Sequence, residues 1–225
     1  MTSRDTIFGS IRRSLGVSGR EIGRRSDAAF RMRQPPRGVI PARGQRAPRE
    51  RVALFRTMLE AAAGTTEHVS LLADVPAAVA AFLRKHNLPM QVRRGADQRL
   101  TSIPWQKERT LTVKVGPSDG SDLVSVSHAF GGAAETGTLM LLSGVDNPTT
   151  LNFLPDSHIV LVSAKDVAGD YETLWLRLRR QFDGAMPRVV NLITGPSRSA
   201  DIEQTLILGA HGPRRLHVIV VGEPA

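Results

Sequence analysis

Hydrophobic and polar positions follow three successive patterns along this chain. Between Thr6 and Leu15, apolar residues recur at helical spacing, with Ile7, Phe8, Ile11 and Leu15 on one side and Arg12 and Arg13 on the other, and Gly16 closes the segment. Residues 17–49 then carry Pro35, Pro36, Pro41 and Pro48 with almost no aliphatic clustering, a pattern that predicts an extended, poorly packed arm. From Arg51 the helical period returns in Val52, Phe55, Met58, Leu59 and Ala62, with Gly64 as the natural stop. A strand in EHVSLL, a helix from Val75 to His86 and a strand from Met90 to Arg93 follow. Asp74 is placed to cap that helix, Pro76 fits its first turn, and Asn87 can close it in a left-handed conformation. This β, α, β order within roughly 30 residues is the size of a crossover unit and predicts a parallel sheet.

The second half of the chain is organised around Thr138 to Leu142, a short apolar run entered through Gly137 and left through Gly144. It reads as a buried central strand. Strands at Leu111–Val115 and Leu123–Ala129 precede it. After it, a strand at His158–Ser163, a helix at Asp166–Phe182, a strand at Arg188–Thr194, a helix at Ala200–Leu208 and a strand at Leu216–Val221 predict a doubly wound α/β half.

The 225 residues suffice for one large domain with an appendage. The formal charge of +9 would ordinarily suggest nucleic acid, but its location changes that inference. Residues 1–49 hold twelve arginines against Asp5, Glu21 and Asp27, a net +9, whereas residues 50–225 hold 18 basic and 18 acidic side chains. The arm also lacks the interleaved aromatic residues on which bases stack, so no nucleic-acid partner is expected. With no cysteine, the chain has no disulfide, thiolate nucleophile, Cys zinc site or Cys-held iron–sulfur cluster. No apolar run is long enough for a membrane span and the first residues lack a secretory h-region, so a cytoplasmic protein is expected.

Candidate chemistry brackets the central strand. Glu135, Thr136 and Gly137 place a carboxylate, a hydroxyl and a permissive backbone before it, and Asp146, Asn147, Pro148, Thr149 and Thr150 form a polar turn after it. Glu135 is the candidate acid, base or nucleophile; the alternative is that it caps a neighbouring helix or faces solvent. The turn Thr194–Ser199 lies between a predicted strand end and helix start, where backbone N–H groups can hold an anion, although Asp201 and Glu203 in that helix's first turn favour capping. Candidate ligand-binding residues are Thr136, Gly137, Thr138, Asn191, Gly195 and Ser197, with Glu135 and Ser197 expected to share one pocket. Gly131, Gly132 and Gly137 do not match the dinucleotide spacing, GPSRS is not a nucleophile elbow, and the six histidines lack metal-ligand spacing, so no metal is expected.

The runs AETGTLMLLSGVDNPTTLNFLPDSHIVLV, MPRVVNLITGPSRSADIEQTLILGAHGP and RRLHVIVV resemble the LUD-domain family, in particular its lactate-utilization C-type members, over residues 50–225. The short helix before a variable arm in residues 1–49 also resembles that family. The resemblance implies a three-layer α/β/α fold with a mostly parallel sheet, similar to the NagB/RpiA/CoA-transferase group. It implies a non-redox subunit in the oxidation of L-lactate to pyruvate, working with partner proteins that carry iron–sulfur clusters, with no cofactor in this chain. A small carboxylate is the ligand that Ser197 and the nearby backbone N–H groups are expected to hold. The alternative is an independent enzyme acting on a CoA ester or phosphosugar, for which Glu135 before Thr136 and Gly137 looks like a CoA-transferase glutamate loop.

Overall fold

A computed structural model describes residues 2–183, 185–202 and 205–224. The chain divides into two compact units, residues 1–39 and 40–225. The smaller unit holds α1 (Ser3–Ser14) and α2 (Ile22–Arg33). Helix α1 starts with a capping box in which Thr2 and Asp5 exchange side-chain and backbone bonds, and Gly16, at φ +62°, follows its end. Helix α2 falls within the stretch expected to be extended. Its four prolines all lie beyond it, leaving Glu21 to Arg33 free to take helical dihedrals.

The larger unit begins ten residues before the expected boundary at residue 50. Residues 42–44 form a 3₁₀ turn packed against the segment before α7 (Tyr171–Gln181): Gln45 Nε2 donates to Asp170 Oδ2 at 2.9 Å. Gly44 and Gly169 approach so closely that a Cβ on Gly44 would lie 2.1 Å from the Gly169 carbonyl. Helix α3 (Pro48–Ala61) follows, with Pro48 in its first turn and Val52, Phe55 and Leu59 buried along one stripe.

Six parallel strands form the main sheet: β1 (Thr65–Val69), β2 (Gln91–Arg94), β3 (Thr112–Val115), β4 (Val124–His128), β7 (Ser157–Ser163) and β12 (Arg215–Val221), in the order β1-β12-β7-β4-β2-β3. Helix α4 (Val75–Lys85) carries the chain from β1 to β2 across three intervening strands. Strands β7 and β12 are apolar on both faces. Ile159, Leu161, Ile219 and Val221 pack with Val75, Val79, Phe82 and Leu83 of α4. Val160, Val162, Val218 and Val220 pack on the other side with Val52, Phe55 and Leu59 of α3 and with Leu139 and Leu141.

Those last two leucines belong to a second sheet. Strands β5 (Gly131–Ala133), β6 (Thr138–Leu142), β8 (Val167–Ala168) and β9 (Val190–Ile193) lie in the order β8-β5-β6-β9. The run Thr138–Leu142 is thus a buried interior strand, but of this smaller sheet, where it runs antiparallel to β5 and β9. Three layers result: α4, the parallel sheet, and a layer made of α3 and the small sheet, whose outer face is covered by Leu174 and Leu178 of α7. The expected doubly wound half is corrected accordingly. Segment 188–194 pairs with β6 outside the main sheet, and the expected helix at 200–208 is replaced by antiparallel strands β10 (Arg198–Ile202) and β11 (Thr205–Leu208). Its β-branched and aliphatic residues suit a hairpin as well as a helix, and a short apolar run cannot separate the two. The expected helix cap at Glu203 lies outside the described residues.

Among the described residues no helix is long and apolar enough to cross a membrane. A chain beginning at Ile40 should unfold in urea with the midpoint of the full chain. One beginning at Glu50 loses the Gln45–Asp170 bond and the Gly44 contact and should lose roughly 2 kcal/mol, read from the same transition.

Candidate functional site

The antiparallel course of β6 decides what the chain brings together. The first residue of β6 and the end of β9 lie side by side, with Leu139 opposite Ile193. Thr138 Oγ1 therefore hydrogen-bonds Thr194 Oγ1. Thr136 Oγ1 lies 2.7 Å from Thr138 Oγ1 and 2.8 Å from Tyr171 Oη, and Tyr171 Oη also contacts Thr138 Oγ1. Four hydroxyls from three segments form one cluster. Both flanking loops press on the end of α3. A Cβ on Gly137 (φ +69°) would lie 2.3 Å from the Leu59 nitrogen, and one on Gly195 (φ +71°) would lie 2.2 Å from the Ala62 carbonyl oxygen, so the left-handed backbone and the close approach both require glycine.

Glu135 is buried in the turn between β5 and β6. Its Oε1 accepts from the Tyr171 N–H at 3.0 Å, and its own N–H donates to the Gly169 carbonyl at 3.1 Å. Tyr171 is the first residue of α7, whose N-cap Asp170 accepts from Thr173 N at 2.8 Å. Two carboxylates thus meet the positive end of one helix. Burial opposes the ionisation of Asp170, but its bonds from Thr173 and Gln45 hold its pKa below the ordinary value. The geometry at Glu135 is the helix-capping alternative. Beyond β6, the polar turn has a structural use as well: Asn147 Nδ2 donates to Asp97 Oδ2 at 3.0 Å. Burial works against the charge of Asp97, yet Arg99 and Asn147 lower its pKa to about 2.

A cavity of about 280 Å³ opens at the amino-terminal ends of β7 and β12. This is room for a small organic molecule rather than one or two waters. Thr194, Gly195, Ser197 and Arg198 form one wall, with His211, Asn152 and His158 among the others; Glu135, Thr136, Gly137, Thr138 and Asn191 are not among the lining residues. Thr194 connects the two regions, since it lines the cavity and bonds to Thr138 behind it. Ser197 is pinned by its N–H to the Pro213 carbonyl at 2.8 Å, and its hydroxyl accepts from the His211 N–H at 3.3 Å. Because β10 replaces the expected helix, no helix begins at this turn among the described residues. Asn191 on β9 is half-buried, and its Nδ2 is without a hydrogen-bond partner among the described residues.

His158 was the residue that sequence reasoning passed over. It occupies the second position of β7 and is fully buried. Its Nε2 lies 2.9 Å from Ser127 Oγ, which donates to Asn152 Oδ1 at 3.3 Å. With the single Ser127 proton directed to Asn152, Nε2 must be the protonated nitrogen, and Nδ1 is left as an acceptor. Nδ1 has no partner among the described residues. Burial lowers the His158 pKa to about 3, so the ring is neutral. The available signal is the pair Ser125 and Ser127 in LVSVSHA, which are both buried and need partners. Among the described residues no group of three His, Cys, Asp or Glu is arranged to hold a metal ion.

A family profile described as LUD domain matches residues 121–221, from just before β4 to the end of β12. This segment is a LUD domain. The LUD segment carries the cavity, Glu135 and the hydroxyl cluster. Among relatives, lactate utilization protein C of Geobacillus kaustophilus is 33% identical over 127 residues, covering 52% of this chain and 53% of that protein. Lactate utilization protein C of Geobacillus thermodenitrificans is 36% identical over 107 residues, 46% of this chain and 45% of that protein. An uncharacterized protein of Neisseria meningitidis serogroup B is 39% identical over 95 residues, 42% of this chain and 40% of that protein. The chain thus spans about half the length of the curated relatives it matches. A crystal structure of a DUF162 family protein from Deinococcus radiodurans shares the fold, with a TM-score of 0.58 at 24% identity over 79% of this chain and 99% of that one.

Glu135→Gln keeps an acceptor for Tyr171 N–H but removes the charge at the positive end of α7. The expected cost is about 1 kcal/mol in urea unfolding, and Glu135→Ala, which orphans the amide, should cost about 1–3 kcal/mol. Burial also lowers the pKa of His128 and of His217 to about 4. With His158, these rings stay neutral in the folded chain while the unfolded chain protonates them near pH 6.5. Their contribution is fully present above that pH and is lost as the pH falls toward 4, by roughly 3 kcal/mol for a ring held down to about 4. Urea midpoints should therefore drop steeply between about pH 6.5 and about pH 4, and His217→Phe, which keeps an aromatic ring against Phe82, should flatten the decline.

Proposed function

We propose that this chain is a non-redox subunit of a bacterial system that oxidises L-lactate to pyruvate, acting in the cytoplasm with iron–sulfur partner proteins. Similarity to proteins named lactate utilization protein C supports the pathway. The absence of cysteine supports the division of labour, because Cys-ligated clusters must then sit on the partners. We also propose kinship with the NagB/RpiA/CoA-transferase folds, supported by the parallel sheet and its covering layers.

The observation that carries a ligand-binding role is the cavity. Arg198 is the formally charged side chain among the described residues lining it; one of its guanidinium nitrogens donates to the Ala62 carbonyl, and no carboxylate is among those lining residues, so an anion is favoured. In this proposal the Arg198 guanidinium and the Ser197 hydroxyl hold a small carboxylate, with the neutral His158 ring forming part of the cavity wall. Gly195 lets this wall pack against the end of α3. Thr136, Gly137, Thr138 and Asn191 act from behind, fixing the wall through Thr194 and β9. Glu135 positions this wall by holding the start of α7.

A second reading has one observation in its favour: Glu135 is a buried carboxylate on the same residue, Tyr171, that joins the Thr136 and Thr138 hydroxyls. An enzyme acting on a CoA ester or phosphosugar through Glu135 would form an acyl or related adduct on that side chain, visible by mass spectrometry after incubation with acyl-CoA.

The isolated chain should not reduce dye with L-lactate, whereas mixing it with its iron–sulfur partners should raise their lactate-dependent rate. Calorimetric titration with L-lactate or pyruvate should show binding that Arg198→Gln weakens by about tenfold or more. Dye reduction by the isolated, cofactor-free chain would remove the non-redox assignment, and undiminished binding in Arg198→Gln would remove the cavity assignment.

A further inference from the structure

The smaller unit, residues 1–39, has a composition unlike the rest of the chain. It holds nine arginines against Asp5, Glu21 and Asp27, a net charge of +6 in 39 residues, while the larger unit, residues 40–225, holds 21 basic and 18 acidic side chains, a net +3. Two of its three acidic groups are engaged by neighbouring backbone N–H groups. Asp5 accepts from the Thr2 N–H at 3.0 Å in the capping box, and Glu21 accepts from the Ser18 and Gly19 N–H groups at 2.6 and 3.0 Å. Among the described residues, none of the nine arginines is in a salt bridge. Among the described residues this positive charge is therefore not neutralised by ion pairs.

Apolar side chains are exposed beside this charge. Neither helix buries a residue, and Ile7, Phe8, Ile11 and Leu15 of the first helix are 43–64% exposed. At about 100° per residue these four fall within a single arc of α1. The Arg4 and Arg12 guanidinium carbons lie 5.3 and 5.9 Å from the Phe8 ring centroid, so cations flank the apolar stripe. On α2, Ile22, Phe30 and Met32 are exposed at 60–85% and are interspersed with Arg24, Arg25, Arg31 and Arg33.

Each feature narrows the occupant. A nucleic acid would use the arginines but has no use for exposed isoleucines. A helix-binding protein groove needs one stripe at i, i+3 or i+4, and i+7; α1 has such a stripe, but α2 spreads its apolar residues around the helix. A fluid headgroup layer accommodates both, because apolar side chains can dip below it at several azimuths while arginines snorkel to the phosphates. We propose that residues 1–39 dock the protein reversibly on an anionic lipid surface, with Ile7, Phe8, Ile11 and Leu15 inserted and the arginines held by lipid phosphates and carboxylates. This inference does not rest on the proposed function.

Cosedimentation of the full chain with vesicles tests it. The chain should pellet with phosphatidylcholine vesicles containing phosphatidylserine and stay in solution with phosphatidylcholine alone. Raising salt from about 0.1 M to about 1 M shortens the screening length from about 10 to about 3 Å and should reduce binding at least about tenfold. Ile7→Ser/Ile11→Ser, which leaves the charge unchanged, should reduce binding by a similar factor, as should Arg12→Glu/Arg13→Glu. Urea unfolding of each variant confirms that the larger unit is intact. No pelleting with either vesicle overturns the proposal. Equal binding by the Ile7→Ser/Ile11→Ser chain also overturns it, because adsorption would then be charge alone and a polyanion such as a nucleic acid would serve as well.

Discussion

Strands β7 and β12 bury apolar side chains on both faces, and this constraint arranges the rest of the larger unit. A strand in the middle of a parallel sheet cannot present Val160, Val162, Val218 and Val220 to water, so it needs a layer on each side. Helix α4 supplies one. The other comes from α3 and the small sheet, which the chain builds by running on from β4 into β5 and from β7, through a 3₁₀ turn, into β8. The small sheet then has an outer face of its own, formed by Phe130, Ala133, Met140 and Ala168, and α7 closes it.

Where this apolar sandwich stops, the site begins. At the start of β7 the pattern changes to Ser157 and His158, next to Ser125 and Ser127 on β4. Burying such groups is costly unless they are bonded, and most are: Ser125 to the Leu151 carbonyl, Ser127 to Asn152, His158 to Ser127. Nδ1 of His158 is the one ring nitrogen the network does not use, and the cavity lies where its residue meets the Thr194–Arg198 wall. The end of α3 sets the position of that wall. Its last turn receives Gly137 and Gly195 in direct backbone contact, so the loops before β6 and after β9 are both fixed to one helix.

Much of this was legible in the residues. Helical spacing located α3 and α4 to within a few positions, and the β, α, β order forecast the parallel sheet. Asn87 does take a left-handed φ of +52°, and the run Thr138–Leu142 is a buried strand. The turn Asp146–Thr150 was recognised as polar, but its use, anchoring Asp97, depends on a residue 50 positions away. Ser197 lines the cavity from a turn that leads into β10, where the local pattern predicts a helix start. His158 offered no motif, because a lone histidine in an apolar strand has no local signature.

The sequence by itself determined which segments are apolar, where the charge excess lies, and that no thiolate chemistry is possible, because these depend only on residue type and local period. The tertiary structure alone decided the partition of strands between two sheets. Period-two patterning reports that a strand is buried but not which strand it pairs with, and pairing is set by how the faces of β7 and β12 are covered. From that partition follow the antiparallel course of β6, the bond between Thr138 and Thr194, and a Glu135 that caps α7 while the cavity forms on the far side of Thr194.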